Sequence, residues 1–289
     1  MAGSSETSNG RSESDDKPYE SNREQDPPQP PSSLTYDRVV FTESARSATR
    51  NQLIESAATD PQITAAALVG SAAEAREDQW SDIDLALRLA PDLEPADVAE
   101  SWTSRMYQDH AAVDHVDLWS GATLFRVFLL ASSLQVDLSF WPSSDFRSNG
   151  MAFQLIFGSA NEPAALPVPA KSRLIGMGWL YALHARSSIA RGRFVQAVYM
   201  INGIRDQAIA LACLRHGLRP DQGRGADDLP RDITAQVSRT LVGSLDRAEL
   251  SRAFDGVMAF LLGEVEHADP GRAARIALPA EELLRTARG

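Results

Sequence analysis

QITAAALVGSAAEAREDQWSDIDLALRL, residues 62–89, is the stretch that decides the fold. Its first apolar run, residues 63–69, stops at Gly70-Ser71, and a second apolar run, residues 83–89, begins after a polar connection. Short apolar runs that are bounded by turn signals are typical of buried strands. The stretch therefore predicts a strand, a tight Gly-Ser turn, one or two helical turns, and a second strand.

Two aspartates, Asp82 and Asp84, stand at the start of the second strand. Alternation along a strand puts both carboxylates on the same face. Two carboxylates a few ångströms apart repel each other and are costly to bury without a cation. Mg²⁺, held by carboxylates together with substrate phosphates, is the common solution. Gly70 allows the backbone to approach a ligand closely, and free N–H groups after Gly70-Ser71 favour a phosphate.

In this order, strand, Gly-Ser, Asp-x-Asp and strand, the segment resembles the nucleotidyltransferase superfamily that is related to DNA polymerase beta. That superfamily needs a third carboxylate on a later strand. The alternating run LQVDLSF, residues 134–140, offers Asp137. The resemblance rests on motifs within residues 40–142, and the overall layout is similar to the aminoglycoside and lincosamide nucleotidyltransferases of bacteria.

The resemblance implies transfer of a nucleoside monophosphate from an NTP, expected to be ATP, to a hydroxyl of a small-molecule acceptor. An antibiotic is one candidate acceptor. The resemblance implies that Gly70 and Ser71 hold the β- and γ-phosphates. It also implies that Asp82 and Asp84 bind two Mg²⁺ ions, and that Asp137 ligates the ion nearest the acceptor and helps to remove its proton.

Other polar residues have roles that the sequence leaves open. Lys171 is the only lysine beyond the N-terminal region, and the resemblance implies that it contacts the triphosphate. Asp114 and Asp117 are alternative bases, although their spacing of three puts them on opposite faces of a strand. Arg205 and Asp206 interrupt an apolar helical segment, where they either face a cleft or have a structural role. No separate glutamate base, as found in some antibiotic-modifying members, can be identified.

The amino-acid composition limits which classes of partner we expect the protein to bind. The formal net charge of −11 argues against a nucleic-acid backbone as the main partner, because such proteins carry basic surfaces. An acidic cleft suits a cationic acceptor. The single cysteine, Cys213, cannot form an internal disulfide, and its apolar neighbours predict a buried small residue. The sequence has no stretch of 18 uninterrupted apolar residues, so we expect no membrane span. We therefore expect a cytoplasmic protein. The oligomeric state stays open.

The composition changes along the chain and predicts four regions. Residues 1–34 are polar and Pro-rich and predict a disordered tail. Residues 35–142 predict the catalytic domain, an α+β arrangement with a mixed sheet of about five strands and helices on one side. Within it, residues 43–58 predict a helix with Thr42 as its N-cap, and residues 123–131 and 134–141 predict a hairpin. Residues 143–169 predict a linker rich in Ser, Asn, Gly and Pro. Residues 170–289 predict an all-α helical bundle, whose last helix would begin at Pro279.

Two further functions belong to other classes. The first is a protein- or RNA-modifying nucleotidyltransferase of a toxin–antitoxin system, which a small adjacent partner gene would indicate. The second is a non-catalytic relative that binds nucleotide, and the presence of the Gly-Ser turn with all three carboxylates argues against it. The excess of arginine over lysine suggests a high-GC bacterial source.

Overall fold

A computed structural model describes residues 41–165 and 168–288. The predicted tail, residues 1–34, lies outside the described residues. The chain divides into two compact units, Met1–Leu166 and Pro167–Gly289. The first unit is an α+β structure built on one mixed sheet, and the second unit is helical. This is the fold class that the sequence predicts.

Helices and strands alternate at the start of the first unit, up to α3, and four consecutive strands follow; the Asp-x-Asp segment leads into the second strand. Its elements are α1 (Glu43–Thr59), β1 (Ile63–Val69), α2 (Gly70–Ala73), β2 (Ile83–Leu89), α3 (Pro95–Asp109), β3 (Ala112–Ser120), β4 (Thr123–Leu130), β5 (Gln135–Trp141) and β6 (Phe153–Phe157). The N-cap of α1 is Thr42, whose hydroxyl oxygen accepts a hydrogen bond from the amide of Ala45, as its position in the sequence predicts.

The six strands form one sheet in the order β3-β4-β5-β2-β1-β6. Strands β2 and β5 are parallel, and all other neighbours are antiparallel. The predicted hairpin between β4 and β5 is confirmed. Strands β2 and β5 lie beside each other although they are about 50 residues apart in the sequence. The sheet therefore brings together two segments that no local pattern connects.

The two faces of the sheet have different surroundings, and this difference decides where the site lies. One face packs on α1 and α3 through fully buried side chains such as Leu53, Trp102, Leu85 and Phe140. The other face carries a small apolar cluster that includes Ala86 and Phe146, and α1 and α3 do not cover it. Helices on one side, as predicted, leave the second face free for polar side chains.

The sheet has six strands, one more than the sequence predicts. Strand β6 lies in the region that the sequence predicts as a linker, residues 143–169, and it pairs with the outer side of β1. Its sequence, FQLIF, has no polar alternation and is surrounded by Ser, Asn and Gly. A strand that is defined by its partner, and not by its own pattern, is difficult to predict from the sequence.

The second unit consists of helices around one core. They are α4 (Lys171–Ala190), α5 (Phe194–Arg215), α6 (Arg231–Arg239), α7 (Arg247–Ala268) and α8 (Pro270–Ala287). Cys213 is fully buried in this core, as the sequence predicts. The predicted start of the last helix at Pro279 is wrong, because α8 begins at Pro270 and continues through Pro279.

Pro279 lies inside α8 as an exposed residue, where it lines a small apolar cavity of about 110 Å³ together with Trp179, Leu261 and Leu283. A proline removes one backbone hydrogen bond inside a helix, which is why the sequence favours a helix start at this residue. Among the described residues, no helix is long and apolar enough to cross a membrane.

Candidate functional site

The parallel pairing of β2 and β5 brings two carboxylates side by side. In this register Asp84 is the partner of Asp137, and Ile83 is the partner of Val136. Neighbouring strands are about 4.8 Å apart, so these two side chains share one small area. Ile83 and Val136 belong to the core on the helix-covered face. By alternation, Asp84, Asp137 and Asp82 therefore lie on the opposite, open face.

Asp137 is the electrostatically strained member of this group. Burial, and then the negative charge of Asp82, raise the pKa of Asp137 from 3.8 to about 7. Its Oδ1 atom is buried, and among the described residues it has no hydrogen-bond partner. A buried carboxylate oxygen without a donor is rare and costly. It marks a place where a proton or a cation would be stabilised.

Asp82 is held by a residue that the sequence analysis missed. The side-chain amide of Gln135 donates a hydrogen bond of 3.1 Å to Oδ2 of Asp82. Gln135 is two residues before Asp137 on β5, so both side chains lie on the same face. The alternation of LQVDLSF was enough to predict the shared face, but only the strand pairing identifies Asp82 as the partner.

Gly70 lies directly against the carboxylate of Asp84. It has a positive φ of +64°, and a Cβ added there would clash with Oδ2 of Asp84 and lie 3.3 Å from its Cγ. Ser71 follows within α2, a helix of only four residues. The predicted tight turn is therefore present. Gly70 allows this turn to close over the carboxylate, because no other residue lacks the Cβ atom.

The arrangement fits a cation in part. Asp84 and Asp137 are neighbours on the open face, and Asp137 has an oxygen without a donor. Asp82 would exchange its hydrogen bond from Gln135 for a ligand bond. Within residues 41–165 and 168–288, no group of three or more His, Cys, Asp or Glu side chains has the arrangement needed to hold a metal ion.

Asp117 and Asp114 lie on opposite faces of β3, as the spacing predicts. Asp117 is on the helix-covered face, where its two carboxylate oxygens accept hydrogen bonds of 2.6 and 2.7 Å from the buried Arg126. Asp114 is exposed on the open face and pairs with Leu129 in the register of β4. Because β4 separates β3 from β5, Asp114 is about 10 Å from the strand that carries Asp137. Neither aspartate can share a proton directly with Asp137.

The Asp117–Arg126 pair is expected to be structural. Asp117→Asn should lower the free energy of unfolding by about 1–2 kcal/mol, because Arg126 keeps its contacts with Glu100 and Thr103 but loses a charged, bidentate partner. Turnover should change by less than about twofold. Urea denaturation and a turnover assay on the same preparation measure both effects. Lost turnover at unchanged stability would instead identify Asp117 as a catalytic base.

The candidate residues of the second unit have different surroundings. Lys171 is exposed and is the first residue of α4, and its contact with a triphosphate stays a prediction. Arg205 donates hydrogen bonds to Oγ1 and the carbonyl oxygen of Thr240, at 2.5 and 2.6 Å, and to Asn202. Arg205 therefore connects α5 to the end of α6, a structural role. Asp206 lines a cavity.

Comparison with known proteins gives little similarity. No family model matches the chain, and no curated protein matches it. Among solved structures, the chain is similar to an aminoglycoside 6-adenyltransferase from Bacillus subtilis, with a TM-score of 0.35 and 12% sequence identity. The alignment covers 80% of this chain and 95% of that one. A likeness at this level carries no argument about function, which is therefore argued from the site itself.

Proposed function

We propose that this protein is a Mg²⁺-dependent nucleotidyltransferase that moves a nucleoside monophosphate from an NTP to a hydroxyl of a small-molecule acceptor. The observation that carries the proposal is the pairing of Asp84 with Asp137 on adjacent parallel strands. Asp82 is near enough to raise the pKa of Asp137. Three acidic groups on one sheet face repel one another unless a cation or a proton lies between them, and a reaction at phosphate needs such a cation.

The three aspartates would hold the cation and orient the substrates. Bound Mg²⁺ would neutralise the charge on the transferred phosphate and lower the pKa of the acceptor hydroxyl. Before the cation binds, Gln135 holds the side chain of Asp82 through the hydrogen bond to Oδ2. Asp137, with an oxygen that receives no hydrogen bond, would accept the proton of the hydroxyl or the positive charge beside it. Catalysis would then rest on positioning and charge neutralisation.

Gly70 and Ser71 would receive the phosphates. The absence of a side chain at Gly70 leaves room for the turn beside Asp84, and a triphosphate chain that bridges the turn and the cation would use the same space. With ATP as the expected donor, its terminal phosphates would lie at this turn. The acceptor would then approach Asp137 along the open face of the sheet.

The direct test is pyrophosphate release with Mg²⁺, each of the four NTPs, and a panel of aminoglycosides and lincosamides. We expect release that depends on one acceptor and stops when EDTA removes the metal. Asp82→Asn should reduce the rate about a hundredfold, because it removes one carboxylate from the cation site. The fold should persist, since Asp82 is outside the apolar core.

Asp109→Asn is the matched control, because Asp109 is an exposed aspartate at the end of α3, away from the open face. It should leave the rate unchanged. Full turnover in Asp82→Asn would refute the cation site. Absence of both NTP binding and pyrophosphate release would refute the enzyme assignment.

A further inference from the structure

A cavity of about 690 Å³ lies within the helical unit, and none of the residues that line it belongs to the carboxylate site described above. Binding sites for small organic molecules have volumes of about 300–1,000 Å³ and combine an apolar lining with a few polar groups. This cavity has that composition. Its apolar lining comes from the segment before α4, from α4 and α5, and from the segment after α5, and includes Val168, Pro169, Leu174, Ile209, Ala210 and Pro220.

Two polar side chains in the lining have no hydrogen-bond partner within residues 41–165 and 168–288. Among the described residues, Asp206 and Gln207 make no hydrogen bond or salt bridge to another group. The nearest cation along the helix, Arg205, is occupied by Thr240 and Asn202. Burial raises the pKa of Asp206, and the charge of Arg205 opposes this effect. Asp206 is only partly buried and is exposed to solvent at the cavity, so its carboxylate can accept hydrogen bonds from a ligand.

The remaining acidic group of the lining is already paired. Asp221 accepts a hydrogen bond of 2.7 Å from Arg219, and this pairing lowers the pKa of Asp221. The wall that contains Asp221 is fixed by backbone hydrogen bonds from Gly225 to Arg219 and from Leu218 to Cys213, at 3.1 and 2.8 Å. Backbone hydrogen bonds therefore hold one wall of the cavity in place. Asp206 is the carboxylate of the lining that is not paired with an arginine in this way.

We propose that this cavity binds an organic ammonium ion with an apolar body, whose charged nitrogen meets Asp206 and Gln207. An ammonium group supplies N–H donors that match the carboxylate of Asp206 and the amide oxygen of Gln207. The apolar body would cover Leu174, Ile209 and Pro220. An anion is disfavoured because Asp206 and Asp221 both line the cavity. The proposal does not depend on the nucleotidyl transfer proposed above.

A matched pair of probes tests the charge requirement. The rigid amine 1-adamantylamine and the uncharged alcohol 1-adamantanol have nearly the same shape. Methyl groups of Leu174 and Ile209, labelled with ¹³C in the full chain, report occupancy by NMR. At pH 8 we expect saturable shifts with the amine and about tenfold weaker binding of the alcohol, because the charged hydrogen bond is lost.

A substitution of Asp206 provides a second test of the proposal. Asp206→Asn should abolish the preference for the amine, whereas Asp227→Asn, at an exposed aspartate outside the lining, should keep it. Methyl signals that do not respond to the amine would overturn the proposal. Equal binding of amine and alcohol in the wild type, or an unchanged preference in Asp206→Asn, would overturn it as well. None of these readouts requires NTP or turnover.

Discussion

Asp137→Asn is expected to make the metal-free protein more stable and the enzyme inactive. At pH 8 the free energy of unfolding should rise by about 2 kcal/mol, equivalent to about 4–8 °C in Tm. The rate of pyrophosphate release should fall about a thousandfold if Asp137 has the proposed role, because the variant removes the charge that would hold the cation beside the acceptor hydroxyl. Opposite effects on stability and activity are the mark of a residue kept for function.

The direction of the stability effect follows from the pKa. Asp137 has a pKa of about 7 in the folded protein, against 3.8 ordinarily, so the folded state binds the proton more tightly than the unfolded state. Below pH 4, Asp137 is protonated in both the folded and the unfolded state, so its burial as a charged group does not lower the free energy of unfolding. Between pH 4 and pH 7 stability falls as pH rises, and above pH 7 the loss reaches its maximum of about 4 kcal/mol.

An asparagine at residue 137 removes this dependence, although burial of its amide costs part of the gain. Thermal unfolding of wild type and Asp137→Asn in EDTA, at pH 4 and pH 8, measures the effect. The two proteins should converge at pH 4 and diverge at pH 8. Addition of Mg²⁺ should stabilise the wild type alone. A variant that is less stable than the wild type at pH 8 would show that the carboxylate is not strained.

The sequence was sufficient to locate the three carboxylates, but not to explain their electrostatics. The Gly-Ser turn, Asp82 and Asp84 lie in one local pattern, and Asp137 was found because it is the single acid in an alternating run. The pairing of Asp84 with Asp137 depends on the parallel register of β2 and β5. Burial and the proximity of Asp82, which together set the pKa, are tertiary properties that no single segment encodes.

The same distinction holds for the fold. Helices and strands with a strong local signal, such as α1 behind Thr42 or the hairpin of β4 and β5, were predicted within a few residues. Strand β6 was missed because only its pairing with β1 defines it. Pro279 predicts the start of a helix, whereas α8 begins at Pro270 and continues through Pro279. In both cases the local preference of the segment does not decide the structure.

Gly70→Ala is expected to abolish activity at a small cost in stability. The new methyl group would overlap Oδ2 of Asp84, so that carboxylate would have to move away from Asp137. The rate of pyrophosphate release should fall about a thousandfold, as expected when the cation loses a ligand. The positive φ of +64° adds about 1–2 kcal/mol of backbone strain.

Gly121→Ala is the control that separates the steric clash with Asp84 from the backbone strain of an alanine with positive φ. Gly121 has a nearly identical φ of +61°, but nothing lies within 4 Å of a Cβ at that position. Both variants should lose similar stability in urea denaturation, and only Gly70→Ala should lose turnover and Mn²⁺ binding, the latter measured by electron paramagnetic resonance. Equal activity in the two variants would mean that the turn does not set the position of Asp84. A loss confined to Gly70→Ala would connect the first motif of the sequence to the chemistry at the carboxylates, because the two variants differ only in what the added methyl group touches.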